Sequence, residues 1–332
     1  MSPVPAIYSS PSSATCSAGA AGISAAAGLD ILFRDVTPDA AAVGRFAPSP
    51  TGRMHLGNVY AALMSYLSVK SRGGRWLLRI EDIDTQRSRR EWTDWLMDDL
   101  CWLGLKWDGE PCFQSARGEI YYAALRRLGE QGLLYPCRCT RQELQASRAP
   151  HQSDGHIVYG GRCRPEAPVR GVPPEGETLR LMVPVSDSGV GGVPAPFDEQ
   201  VFVDALCGPQ RVLLSRDWGD FVVRRRDGAW AYQLAVAVDD ALTGVNEVVR
   251  GDDLLLSTAV QRYVQQRLAL PQPRRYAHLP LLRNADGQRL SKRDGSLAMD
   301  HLRAHAAPAD VLVRVCRLAG IDADAALALV GL

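Results

Sequence analysis

Between Arg45 and Asn58 the chain reads RFAPSPTGRMHLGN, and these residue types suit the capture of a phosphate. A short apolar run, Val43 to Ala47, predicts a first buried strand. Pro48, Ser49, Pro50, Thr51 and Gly52 then forbid regular structure for several residues. From Asn58 the run NVYAALMSYL favours a helix, with apolar residues on a helical period. Strand, tight loop and helix together aim backbone N–H groups and a positive dipole end at one spot, where an anion can bind. His55 stands on that loop, and Gly57 leaves room for an anion to approach the backbone. Far downstream, Arg289-Leu-Ser-Lys-Arg-Asp-Gly-Ser296 follows His278-Leu-Pro-Leu-Leu and carries Ser291 and Lys292. Alone it reads as a solvated loop. Cys137, Cys139 and Cys163 form a third group, and three thiolates with one further ligand suit tetrahedral zinc. Cys-x-Cys spacing is a weak signal by itself, and three reduced structural thiols are the competing reading.

PSPTGRMHLGN and RLSKR together resemble the two ATP-site signatures of class I aminoacyl-tRNA synthetases. With RFAPSPTG, RIEDIDTQR, VDDALTGVNEVVRGDDLL and HLPLLRNADGQRLSKRDGS in that order, the resemblance is to the glutamyl branch and covers about three quarters of the chain. It implies an α/β fold: a Rossmann-like nucleotide-binding domain with an inserted zinc-containing module and a short helical C-terminal stub. It implies ATP, with Mg2+, held by Pro48, His55, Gly57, Asn58, Ser291 and Lys292, with His55 and Lys292 catalytic. Lys292 would follow charge onto the leaving pyrophosphate. The first signature ends in Asn58 where the general pattern has His, and Arg289 and Arg293 flank the second; both changes are usual in the glutamyl branch.

By the same resemblance, L-glutamate would be held by Arg45, Phe46, Ala47, Pro48, Ser49, Glu81, Tyr232 and Arg250. Arg45 and Arg250 would take the carboxylates, Glu81 the ammonium, and Tyr232 would orient the chain. Arginine suits carboxylates because its planar fork can make two charge-assisted bonds. CRCTRQEL followed by HIVYGGRCR resembles the zinc site of a short glutamyl paralogue, where the tyrosine, Tyr159 here, is the fourth ligand. His156 or His151 could substitute for it. The zinc would be structural, one per chain. The chain stops roughly thirty-five residues after the second signature, without the helical domains that grip an anticodon. That expectation points to transfer of glutamate to the queuosine base at the wobble position of tRNA(Asp). A short enzyme charging a tRNA 3′ end and a non-catalytic RNA-binding relic are the alternatives.

The elements that must position these residues follow the chain. Gly74 to Asp84 predicts a second strand ending in carboxylates, which completes a βαβ unit. Ser88 is predicted to cap the next helix, with Glu91 as capping-box partner, and Trp92, Trp95, Leu96, Asp99 and Trp102 read as a core stripe. A helix over Ala116 to Gln131 leads into Tyr135-Pro-Cys-Arg-Cys and a Gly/Pro-rich passage to Pro196. Asp227-Gly228 between apolar runs predicts a hairpin carrying Tyr232. Val245 to Arg250 predicts another strand, Ser257 a cap for a helix to Leu268, and Met299 to Leu332 two short helices at most. The expected divisions are a disordered extension (1–41), two catalytic halves (42–110 and 215–283), an inserted module (111–214) and a final loop with a helical stem (284–332).

Composition sets the outer bounds. A chain of 332 residues with 46% hydrophobic residues supports about two domains with a large core. Net charge is +1, so contact with RNA must use local patches. No apolar run is long enough to span a bilayer. Eight cysteines in a chain this long do not make a disulfide scaffold, and a reducing, cytoplasmic setting and a monomer are expected.

Overall fold

The computed structural model describes residues 41–140, 143, 158–184, 196–282 and 297–332. Strand β1 (Val43–Phe46) and strand β2 (Arg75–Ile80) pair in parallel, with helix α1 (Leu56–Lys70) crossing between them. This is the βαβ unit that the sequence predicts. Gly44 sets how closely helix and strand approach: a Cβ there would stand 2.9 Å from Val69 Cγ1. Phe46 stacks on Trp76 beneath the helix, and the Trp76 indole donates to Ser65 Oγ at 3.0 Å. Both faces of α1 are covered, one by the sheet and the other by helices near the C-terminus. The loop at its N-terminal end is thereby fixed to a rigid body.

After α2 (Arg90–Trp102), the two-residue β3 (Cys112–Phe113) adds in parallel to the other side of β2. Helix α3 (Gly118–Glu130) leads into β4 (Leu134–Cys137), β5 (Thr178–Leu181), and then the antiparallel pair β6 (Glu199–Asp204) and β7 (Gly208–Leu213). Strand β8 (Phe221–Arg224) joins β4 and β5 in a separate antiparallel sheet. Helix α4 (Tyr232–Leu242), β9 (Glu247–Gly251), helix α5 (Leu255–Leu268) and β10 (Arg275–Leu279) follow. Strands β9 and β10 are parallel, and β10 meets β6 at Tyr276 opposite Asp204. Beside β1, Asn246 donates its N–H to Val43 O at 3.0 Å and Arg45 Nη1 reaches Val249 O at 3.4 Å. The two parallel groups therefore lie side by side as one layer, with strand ends and the α1 loop on one edge. Ligand sites of parallel α/β sheets form at such carboxyl ends.

Several expected elements differ. The stretch after Asp227-Gly228 makes one antiparallel bridge, Arg224 to Trp230, and then becomes helix α4. Its Ala/Val alternation resembles a strand, but eight consecutive residues from Leu234 to Ala241 are buried, which suits a helix enclosed on all sides. Ser88 does not cap: helix α2 starts at Arg90 with Arg89 as the preceding residue, and Ser88 Oγ is buried with no hydrogen-bond partner among the described residues. Ser257 lies inside α5, because a 3₁₀ turn over Asp252–Leu254 starts the helix earlier. Of the tryptophan stripe, Leu96 and Asp99 are buried but Trp95 is 36% exposed and covered by the Arg53 guanidinium. The C-terminal stretch holds three helices where two were expected: α6 (Met299–His305), α7 (Pro308–Ala319) and α8 (Ala323–Val330). Pro308 starts the second, Gly320 in left-handed conformation ends it, and the Asp322 carboxylate caps the third.

Candidate active site

His55 is the N-cap of α1. Its Nδ1 accepts the Gly57 N–H at 3.1 Å, while Asn58 Oδ1 accepts the His55 N–H at 3.0 Å, a reciprocal capping box. A neutral His55 ring so held carries its proton on Nε2. A Cβ at position 57 would lie 2.9 Å from His55 Cε1, so only glycine admits this ring position. Across the cleft beside His55, Gly57 and Asn58 stand Gly251, Asp253 and Leu279 to Leu282. Of the expected ATP-site residues, Ser291 and Lys292 lie outside the described residues. The described chain on either side of them, Leu282 and Ala298, borders this region: Leu282 lines the cleft, Ala298 bridges to His55, and the next N–H, of Met299, donates to Met54 O.

Ser49, Glu81 and Tyr232, distant in sequence, line a second cleft of about 610 Å3. The Glu81 N–H donates to Pro48 O at 3.0 Å, which ties the first loop to the end of β2. Phe46 points into the core and Ala47 is half-buried. Glu81 accepts from Arg79 Nη2 at 3.2 Å, and Asp240 accepts from both Arg79 Nη1 and Arg45 Nε, the latter at 3.2 Å. Burial alone would raise the Asp240 carboxyl, but Arg45 and Arg79 outweigh it and hold it down at about 2. For Glu81 burial wins over the pull of Arg79 and Arg45, and its carboxyl sits above the usual range.

Arg250, 6% exposed at the end of β9, is held differently. Nε donates to His278 Nε2 at 3.1 Å and Nη1 to Gln261 Oε1 at 2.9 Å. Nη2 donates to Thr258 Oγ1 at 2.8 Å and Leu254 O at 3.3 Å. All four acceptors are uncharged or neutral in the form that accepts, and among the described residues no carboxylate is within ion-pair distance. One of its five N–H groups, on Nη1, has no acceptor there. Burial accordingly holds the Arg250 guanidinium below its ordinary pKa. A buried cation with neutral neighbours is stabilised when an anion arrives.

The family of class I tRNA synthetases (E and Q), catalytic domain, matches residues 42–331. Curated relatives named glutamyl-Q tRNA(Asp) synthetase include one from Neisseria meningitidis, 45% identical over 77% of this chain and 82% of its own length. Another, from Geobacter sulfurreducens, is 44% identical over 79% of each chain. This chain belongs to that branch of the class I tRNA synthetases. A solved glutamate tRNA ligase from Elizabethkingia meningosepticum, in complex with its amino acid, superposes with a TM-score of 0.60 at 30% identity. The match covers 77% of this chain and 53% of that one, so the chain spans about half the length of that ligase. The α/β class I synthetase fold with a parallel sheet is thereby shared.

The cysteine cluster sits where β4 ends. The sulfurs of Cys137, Cys139 and Cys163 all lie within 4.8 Å of one another, with Cys139 and Cys163 3.5 Å apart. A disulfide would need ~2.05 Å. Thiolates ~2.3 Å from one zinc stand ~3.8 Å apart along a tetrahedral edge, so the donor set fits a metal ion. The Tyr159 hydroxyl is 3.6 Å from both Cys137 Sγ and Cys139 Sγ and accepts the Cys163 N–H at 2.8 Å. Arg180 lies over the Tyr159 ring at 3.7 Å, and Gly219, with φ of +76°, lets the Tyr159 backbone pass closely. Burial raises the Cys163 thiol, but the Tyr159 hydroxyl and a backbone N–H outweigh it and bring it down to about 7. The alternative ligands His151 and His156 lie outside the described residues. Cys137 and Cys139 also line the cleft that holds Glu81 and Tyr232, so cluster and cleft share a wall.

Sequence reasoning missed Arg79, Asp239, Asp240, Asp204 and His278 as parts of this region. Asp239 gathers Gln114 at 2.8 Å, Arg117 at 2.6 Å and Tyr121 at 2.7 Å, joining α3 to α4. The available signal was Asp239-Asp240 at the end of the apolar run LAVAV. Adjacent carboxylates there are rarely buried without partners.

Proposed function

We propose that this chain activates L-glutamate with ATP, forming glutamyl-adenylate, and transfers the glutamyl group to queuosine at the wobble position of tRNA(Asp). The observation that carries the first half is Arg250, a buried guanidinium bonded only to neutral groups and close enough to Tyr232, which lines the cleft with Glu81, to interact with it electrostatically. Arg250 and Arg45 take the two carboxylates of the amino acid, Glu81 its ammonium, and Tyr232 its orientation, with Ala47, Pro48 and Ser49 supplying the loop wall. In the first step an α-carboxylate oxygen attacks the α-phosphorus and the bond to the β-phosphate oxygen breaks, releasing pyrophosphate. The His55 ring N–H and the Asn58 side-chain amide at the α1 terminus offer donors to the phosphates, with Gly57 leaving room for them, as positioned dipoles do best where charge shifts without leaving the site. Ser291 and Lys292 complete this set, and Mg2+ bound with the nucleotide spreads the phosphate charge. In the second step a hydroxyl of the queuosine cyclopentenediol attacks the glutamyl carbonyl, loses its proton and displaces AMP. The names of the relatives at 44–45% identity support this acceptor.

Cys137, Cys139, Cys163 and Tyr159 hold one structural zinc in this reading. A saturated site leaves no position for water, so the metal shapes the cleft wall and takes no part in chemistry. Metal analysis after dialysis should return close to one zinc per chain, and Cys139→Ser should lower it. Metal-free wild-type protein with freely titrating thiols contradicts the site, and zinc retained in Tyr159→Phe moves the fourth ligand to His156 or His151. A cytoplasmic, monomeric enzyme is part of the same proposal; among the described residues no helix is long and apolar enough to cross a membrane.

Glutamate-dependent ATP–pyrophosphate exchange on the pure protein, without tRNA, tests activation. Labelled glutamate offered to tRNA(Asp) with and without queuosine tests transfer. Label should appear only on the modified tRNA and survive enzymatic removal of the terminal CCA. Label lost with the CCA end contradicts the acceptor.

A further inference from the structure

His278 on β10 is fully buried, and so is the Asp204 side chain at the end of β6. Asp204 Oδ2 lies 2.6 Å from His278 Nδ1, while Oδ1 accepts backbone N–H groups of Leu206 at 3.0 Å, Cys207 at 2.9 Å and His278 at 3.2 Å. Burial would raise the Asp204 carboxyl, but these donors outweigh it and keep it low. An ionised carboxylate only accepts, so the His278 proton is on Nδ1. The other nitrogen, Nε2, is then a lone-pair acceptor, and Arg250 Nε, which can only donate, points to it at 3.1 Å. Asp204, His278 and Arg250 thus form one chain of bonds, and Thr258 Oγ1, which accepts from Arg250 Nη2, also lies 3.1 Å from His278 Nε2.

We propose that Asp204 and His278 are positioning residues for substrate recognition: they fix and partly neutralise Arg250 from behind, leaving an Nη1 N–H for a carboxylate of the incoming amino acid. A carboxylate bonded directly to Arg250 would occupy the guanidinium and compete with substrate. Placing it one imidazole away stabilises the buried cation while keeping that competition out. His278 is suited to this because its two nitrogens hold opposite roles once one of them is bonded. The inference rests on the reading that Arg250 binds glutamate.

Asp204→Asn tests it with little change of shape. The amide can keep an oxygen on the Leu206 and Cys207 N–H groups, and its NH2 then faces His278 Nδ1. The imidazole proton must move to Nε2, where Thr258 Oγ1 at 3.1 Å can accept it but Arg250 Nε loses its acceptor. In ATP–pyrophosphate exchange the KM for glutamate should rise roughly 10- to 100-fold, the size of a lost bond to a charged group, with the KM for ATP unchanged. His278→Leu should match that loss. His278→Gln, whose oxygen can accept from Arg250 Nε, should recover most of it. An unchanged glutamate KM in Asp204→Asn overturns the proposal, as does a parallel rise in both KM values. If Asp204→Asn does not fold, equal glutamate KM values for the His278→Leu and His278→Gln proteins overturn it. Absence of glutamate-dependent exchange in the wild-type protein defeats the activation reading itself, which keeps the two failures apart.

Discussion

Arg79 on β2 and Arg250 on β9 are buried in the same parallel layer, yet they are held in opposite ways. Arg79 bonds two carboxylates, Asp240 and Glu81, and Asp240 in turn takes Arg45. Arg250 bonds a ring nitrogen, an amide, a hydroxyl and a carbonyl. The first arrangement is closed: breaking it leaves charges buried with no partner. The second is open: four of its five N–H groups meet neutral acceptors, the fifth has none among the described residues, and no countercharge is directly bonded. Side-by-side burial of Arg79 and Arg250 separates an arginine matched by carboxylates of the protein from one without a directly bonded countercharge, and Arg45, tied to Asp240 through Nε, links the first network to the proposed glutamate site.

Asp240→Asn should cause the largest loss of stability, because it leaves Arg45 and Arg79 facing an amide. A cost of about 3–5 kcal/mol is expected in urea unfolding, as for other broken buried pairs. A loss below about 1 kcal/mol would show that the closed arrangement is not structural.

Acid should expose the same carboxylate in the wild-type protein. The Asp240 pKa is depressed from 3.8 to about 2, so its contribution is complete above pH 3.8 and is lost as pH falls towards 2. Roughly 2 kcal/mol should disappear across that window, and Asp240→Asn should lack this component. Unfolding measured from pH 5 downward in both proteins checks the difference.

Gly57→Ala is expected to change stability least. Alanine gains up to about 1 kcal/mol in helix propensity, and loss of the His55 cap costs a similar amount. The melting temperature should therefore hardly move, while the KM for ATP rises as the imidazole is pushed from the α1 terminus. Unchanged ATP kinetics would disconnect the cap from nucleotide binding.

Much of the nucleotide half is legible in the sequence, since Pro48 to Gly52 separate two runs whose periods differ. Helix α4 is not, because Ala and Val alternate within it and Asp227-Gly228 signals a turn in either case. Its true nature depends on burial from every side, which local pattern does not encode. The caps expected at Ser88 and Ser257 fail because the helices start at neighbouring residues, one of them after a 3₁₀ turn. The Arg79–Asp240 pair spans 161 residues and the Asp204–His278 pair 74, so no spacing rule could reveal either. The cysteine group is readable because its members lie close in sequence.

Arg250→Gln gives the most direct test of the central claim, with glutamate KM and urea midpoint measured on the same preparation. The glutamate KM should rise roughly 30-fold or more, the scale of truncating one partner of a buried charge pair. Stability should fall less than in Asp240→Asn, since only neutral acceptors are left behind. A wild-type glutamate KM in folded Arg250→Gln protein would contradict the account.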